Sequence, residues 1–231
     1  MAKNPSPHGG NASAADDALP TIDKPLLRGW LHLGAAPLAL IGGMALMVFA
    51  PTLAGRVSSA IFTLTAVMLF GTSAVYHRGN WSPRTRAVLR RMDHANIFLI
   101  IAGTYTPLSV ILLDRNTATV ALSIVWIGAF LGLLSRILFL NAPRWVYVPM
   151  YVALGWVAVG YIGPFYDAGG PAVVALIGVG GLFYTVGAVF YGFKWPGASA
   201  RYFGFHEIFH SLTVAGFASH YVAAALIVFR A

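Results

Sequence analysis

Apolar positions in this chain neither alternate nor keep to one helical stripe; they come in long runs separated by short polar stretches. The runs cover about 29–50, 57–76, 93–113, 118–138, 145–163, 171–193 and 205–229, each near the roughly 20 residues a bilayer-crossing helix needs. Between them stand Gly, Pro, Asn and Arg, residues that end helices and turn chains. In hydrocarbon a lone segment satisfies its own backbone only as a helix. The pattern therefore predicts an all-α integral membrane protein, a seven-helix transmembrane bundle occupying residues 25–231. Residues 1–24 are rich in Ala, Pro, Ser, Gly and Asn and lack an apolar core. They read as a disordered cytoplasmic tail and not as a signal peptide.

Composition agrees with that pattern. Hydrophobic residues make up 58% of the chain and charged ones 10%, against roughly 25% charged in a soluble domain. With no cysteine, disulfides, thiolate ligands and a thiol nucleophile are excluded, and any metal must be held by nitrogen and oxygen. The net charge of +8 invites a nucleic-acid reading, yet the basic residues sit on alternate loops and form no stripe. With the N-terminus inside, Lys3, Lys24, Arg28, Arg78, Arg84, Arg86, Arg90, Arg91, Arg136, Arg144, Lys194 and Arg201 are cytoplasmic. Only Arg56, Arg115 and Arg230 are outside. This bias predicts N-terminus in and C-terminus out, with Trp30, Trp81, Trp145 and Trp195 at the cytoplasmic boundary. The expected partner of the arginines is anionic membrane lipid, not nucleic acid.

Orientation brings scattered polar residues to one depth. Ser73 and His77 close the second span, Asp93 opens the third, and His206 and His210 open the seventh. The members of each pair are four residues apart, on one helix face. Three neutral imidazoles and a water form a common catalytic zinc sphere with one open position. A carboxylate nearby accepts or orients the water's proton, and a hydroxyl one turn from a ligand can bond to a developing oxyanion. Each residue also has a plainer reading. His77 can cap the carbonyls of its own helix, Asp93 can be the N-cap of the third span, and Ser73 can bond back to its own helix. His206 and His210 can bridge helices by hydrogen bonds.

These residues carry a resemblance. Ser73-Ala74-Val75-Tyr76-His77, Arg91-Met92-Asp93-His94, Gly103-Thr104-Tyr105-Thr106-Pro107 and His206-x-x-x-His210 resemble the hemolysin III proteins, bacterial relatives of the adiponectin and progestin receptor (PAQR) family. Lys24-Pro25-Leu26-Leu27-Arg28-Gly29-Trp30-Leu31-His32 resembles the same family's approach to its first span. The likeness runs in order over about residues 24–230. It implies a seven-helix bundle in the plasma membrane of a bacterial cell, with zinc near the cytoplasmic face. It implies His77, His206 and His210 as ligands, Asp93 reaching the metal through a water, and Ser73 one turn before the first ligand. The wider superfamily implies hydrolysis of a lipid amide or ester, ceramidase-like in receptor members. A non-enzymatic receptor or regulator with structural zinc is the alternative, and the hemolysin name implies cytolysis in some members.

One motif competes. His206-Glu207-x-x-His210 also fits the H-E-x-x-H pattern of zinc metalloproteases, in which the glutamate is the general base. The plainer reading is an acidic residue at the positive end of the last helix. Paired histidines on different helices also suit haem, which a Soret band would reveal. Of the other histidines, His220 lies about 15 Å further along the last helix than His210, too far for the same ion. His32 stands at the cytoplasmic end of the first span, His94 points about 100° away from Asp93, and His8 belongs to the tail. Arg136 is expected to snorkel to the cytoplasmic interface.

Overall fold

A computed structural model describes residues 25, 27–139, 142–196 and 202–231. The expected tail, and Arg201, lie outside the described residues. Among these, every regular element is helical: α1 Trp30–Phe49, α2 Leu53–Arg78, α3 Pro83–Leu112, α4 Arg115–Leu138, α5 Arg144–Gly155, α6 Ile162–Phe193 and α7 Phe205–Val228. A 3₁₀ stretch, Trp156–Tyr161, joins α5 to α6. Six helical runs are long and apolar enough to cross a membrane, so the chain is a helical membrane protein.

The runs start where sequence chemistry allows. Thr52 accepts a hydrogen bond from Gly55 N at 3.1 Å, and Asp114 accepts from Asn116 N at 3.0 Å and Thr117 N at 3.2 Å. Ser82 accepts from Thr85 N at 3.3 Å with Pro83 opening the helix behind it. That last cap changes the expected third span. Helix α3 begins at Pro83, ten residues before Asp93, because its first turns are helical although they carry Arg84, Arg86, Arg90 and Arg91. Asp93 is therefore no N-cap; it stands almost three turns into a continuous helix.

The fifth run, Arg144–Phe193, is 50 residues long. A straight helix of that length would measure about 75 Å, more than twice the roughly 30 Å of hydrocarbon. It does not run straight. Gly170, at φ 79° and ψ 176°, interrupts it in a backbone region open to glycine. The two limbs then lie side by side: Arg144 Nη1 donates to Tyr191 O at 2.7 Å, and Trp156 Nε1 donates to Thr185 Oγ1 at 3.0 Å.

Packing is polar within and apolar without. Leu38, Val48, Phe49, Leu64, Ile127 and Phe130 face outward, while Ser58, Ser59, Thr63, Thr65, Asn96 and Ser109 are buried. Water would reverse that arrangement and lipid favours it: Asn96 Nδ2 donates across to Met68 O at 2.8 Å and Thr72 Oγ1 at 3.1 Å, while Ser58, Thr63 and Thr65 bond back to carbonyls of their own helix. Arg136 departs from expectation in the same way. It is buried at 2% exposure, its guanidinium 4.0 Å from the Tyr147 ring centre, where the ring face stabilises the charge that snorkelling would have carried to water.

Candidate metal centre

Four helix segments converge at the end of the bundle where α2 finishes and α7 begins. His77 occupies the last turn of α2, His206 the first turn of α7, and His210 the next turn on the same face. One ring nitrogen from each of the three lies within 4.8 Å of the others. His77 Nε2 and His206 Nε2 are 3.1 Å apart. Two nitrogens bound to one tetrahedral ion at about 2.0–2.1 Å are roughly 3.3 Å apart, so the donors fit a metal ion with little movement. The set is chemically apt as well: three imidazoles, two half-buried and one buried. The helix-capping reading of His77 explains none of this convergence.

The wall beside them supplies oxygen. Asp93 Oδ2, buried on α3, stands 3.8 Å from His77 Nε2. Ser73, one turn before His77 and fully buried, faces the same cavity as Asp93. Sequence reasoning thus placed Ser73, His77, Asp93, His206 and His210 at one level, and the structure brings all five to one corner.

The structure also gives Glu207 a different place from that of a general base. Its Oε2 accepts from Gly204 N at 2.9 Å, at the open end of α7, and its Oε1 is paired with Arg28 Nε. It is buried at 1% exposure, yet it is not among the described residues that line the cavity. Both oxygens are committed to holding α7 in position. Gly29, next to Arg28, adopts φ 83°, and a Cβ there would stand 2.8 Å from His77 Cβ. The segment before α1 therefore packs against His77 while its arginine bonds to the helix that carries His206 and His210.

Two neighbours were underrated by sequence. His32 stacks on His210 with ring centres 3.9 Å apart and planes 7° apart, and it is 2% exposed. Its signal was position alone, at the same end of α1. His94 Nε2 lies 3.4 Å from Tyr191 OH and its Nδ1 3.5 Å from Arg136 Nη2. The sixth run, 171–193, put Tyr191 at this level, but nothing in its local sequence pointed to its contact with His94.

From His206 and His210 a cavity of about 190 Å³ runs into the bundle past Ile97, Ile100 and Leu108 to Phe165 and His220. Its walls are mainly apolar, with Ser73, Asp93, His206 and His210 at one end and further polar side chains, Tyr184 and His220 among them, deeper in. That shape suits a chain-like apolar ligand with a polar head.

Comparison with known proteins agrees with this architecture. Residues 21–221 match the family described as Haemolysin-III related. The chain is 30% identical over 163 residues to the hemolysin-3 homolog of Bacillus subtilis (strain 168), spanning 71% of this chain and 73% of that protein. It is 28% identical over 165 residues to hemolysin-3 of Bacillus cereus, spanning 71% and 72% respectively. With the matched region covering all five converging residues, the chain belongs to the haemolysin III family, related to the adiponectin and progestin receptors.

Proposed function

We propose that this protein is a zinc-dependent hydrolase of a lipid amide or ester, working at the cytoplasmic face of a bacterial plasma membrane. One observation carries the reading: three imidazole nitrogens converge beside a buried carboxylate at the head of an apolar cavity. The two limbs of the 50-residue run count as two crossings, giving seven spans. Among the described residues, Arg28, Arg78, Arg84, Arg86, Arg90, Arg91, Arg136, Arg144 and Lys194 then fall toward the histidine end and Arg56, Arg115 and Arg230 toward the other, which favours the histidine end as cytoplasmic.

His77, His206 and His210 would hold the zinc. Bound there, the ion supplies Lewis acidity and a water whose pKa falls to about 7. The remaining chemistry belongs to the chain. The apolar cavity holds the acyl chain, which fixes the scissile carbonyl at the histidine end and keeps bulk water out. Asp93 takes the proton from the attacking water and returns it to the leaving nitrogen or oxygen, so one water is consumed and an acid plus an amine or alcohol is released. Ser73 donates a hydrogen bond to the carbonyl oxygen as charge gathers on it.

The test is turnover of a panel of lipid amides and esters by the purified zinc-loaded protein, beside Asp93→Asn. Turnover lost in the variant while zinc is kept supports the reading. Zinc bound with no turnover of any substrate selects a regulator with structural metal. The name borne by the Bacillus relatives motivates a second reading, cytolysis, which requires red-cell lysis that survives loss of His77, His206 and His210.

A further inference from the structure

Far from the three histidines, the cavity meets a second polar group set in apolar surroundings. His220 on α7 and Tyr184 on α6 both line it, with ring centres 5.5 Å apart. The two rings are admitted by a reciprocal pair of glycines. A Cβ on Gly180 would collide with the His220 imidazole, and one on Gly216 would stand 3.0 Å from the Tyr184 ring. Each helix thus carries a glycine and, four residues later, a polar ring that lies over the other helix's glycine. This is a built feature, since either glycine as alanine would displace a ring.

The hydrogen-bond chemistry is incomplete. His220 Nε2 lies 3.1 Å from Ile177 O. A carbonyl only accepts, so Nε2 carries the proton, and Nδ1 of the neutral ring is left as an acceptor. Nδ1 and the Tyr184 hydroxyl are both buried, and neither has a partner among the described residues. Buried polar atoms without partners are rare and costly. A group that completes this pair must donate to the imidazole and accept from the phenol. A carbonyl or ether cannot donate, and a methylene does neither; a hydroxyl does both, as does a water, whose place a lipid hydroxyl would take.

Resting on the reading that the cavity takes an acyl chain, we propose that His220 and Tyr184 form a subsite for a hydroxyl group borne partway along that chain. The preferred lipid is a hydroxylated one. His220 is ten residues beyond His210, about 15 Å along α7, which places the hydroxyl about a dozen carbons from the scissile carbonyl of an extended chain.

The test is equilibrium binding to the full-length purified protein of stearate, hydroxystearate with its hydroxyl on the twelfth carbon, and the isomer hydroxylated on the third. The expected result is roughly tenfold tighter binding of the twelfth-carbon isomer than of the other two, falling to equality in Tyr184→Phe, which loses one oxygen and no packing. Stearate binding that is undiminished in Tyr184→Phe shows that the variant is folded. Equal binding of stearate and the twelfth-carbon isomer by the native protein would overturn the subsite and leave the acyl cavity standing. Equal preference for both isomers, or a preference that survives Tyr184→Phe, would overturn it too. Failure of all three chains to bind would instead overturn the acyl-chain reading beneath it.

Discussion

Two buried carboxylates flank the histidines, and their surroundings differ. Glu207, in the first turn of α7, has both oxygens engaged, one by Gly204 N and one by Arg28. Asp93, in the wall formed by α2 and α3, faces the cavity with Oδ2 3.8 Å from His77 Nε2. A carboxylate turned to an arginine and a helix end stands away from the cavity, whereas one lining the cavity beside the three histidines can reach a proton released there. The H-E-x-x-H motif offers Glu207, while depth in the bundle and resemblance to the family favour Asp93, and their partners in the structure point the same way.

The largest effect that tests this contrast is on turnover. Asp93→Asn is expected to lower kcat about a thousandfold with zinc content unchanged, while Glu207→Gln leaves kcat within about threefold. Steady-state assays of both variants in one detergent decide it, and the opposite ranking would restore the protease-type reading of the motif.

Next in size is stability. Removing Glu207 alone strands Arg28 at the start of the bundle and should cost about 3 kcal/mol, the low end for a buried pair because the Arg28 side chain keeps 21% exposure. The paired change Arg28→Met with Glu207→Leu should recover most of that loss, because it removes both charges together. Thermal unfolding of the two single variants and the double variant reads the coupling. A double variant no better than Glu207→Leu would show that the pair does not act as a unit.

Smaller still is the effect of the stacked neighbour. His32→Ala should weaken zinc binding about tenfold by freeing the His210 ring, and His32→Phe should restore it, since the stack and not a ligand nitrogen is what His32 contributes. Competition against a zinc chelator measures both.

Asp114 is an exposed reference for the two interior carboxylates. Hydrogen bonds from the Thr117 side chain and the Thr117 and Asn116 backbones hold its carboxyl below the ordinary aspartate range. Its folded pKa is lower than its unfolded one, so the stabilisation is complete above the unfolded value and fades as pH falls through the folded one. Asp114→Asn should therefore flatten the acid limb of a melting-temperature profile slightly and leave the neutral region nearly unchanged. An unaltered acid limb would contradict the cap.

The same contrast explains what was legible in the sequence. Apolar run length marks where hydrocarbon contact occurs, so the spans and the level of Ser73, His77, Asp93, His206 and His210 could be read without coordinates. It is silent about helix that continues into the polar interface, and α3 therefore began ten residues earlier than expected, at a cap already written in Ser82-Pro83. It also divides the Arg144–Phe193 run by the polar content of its middle, whereas the backbone tightens to 3₁₀ over Trp156–Tyr161 and leaves helical geometry at Gly170. Partners distant in sequence were the hardest to foresee. Arg28 with Glu207, His32 with His210, and Arg136 with Tyr147 depend on how helices pack side by side, which local pattern does not encode.

The chemistry proposed for this protein rests on one site, made by His77, His206 and His210. Metal analysis of the purified protein beside His210→Ala tests it most directly. The account predicts about one zinc per native chain and less than a tenth of that in the variant, with both proteins folded by helical content. Equal metal in the two, or none in the native protein after zinc loading, would contradict it.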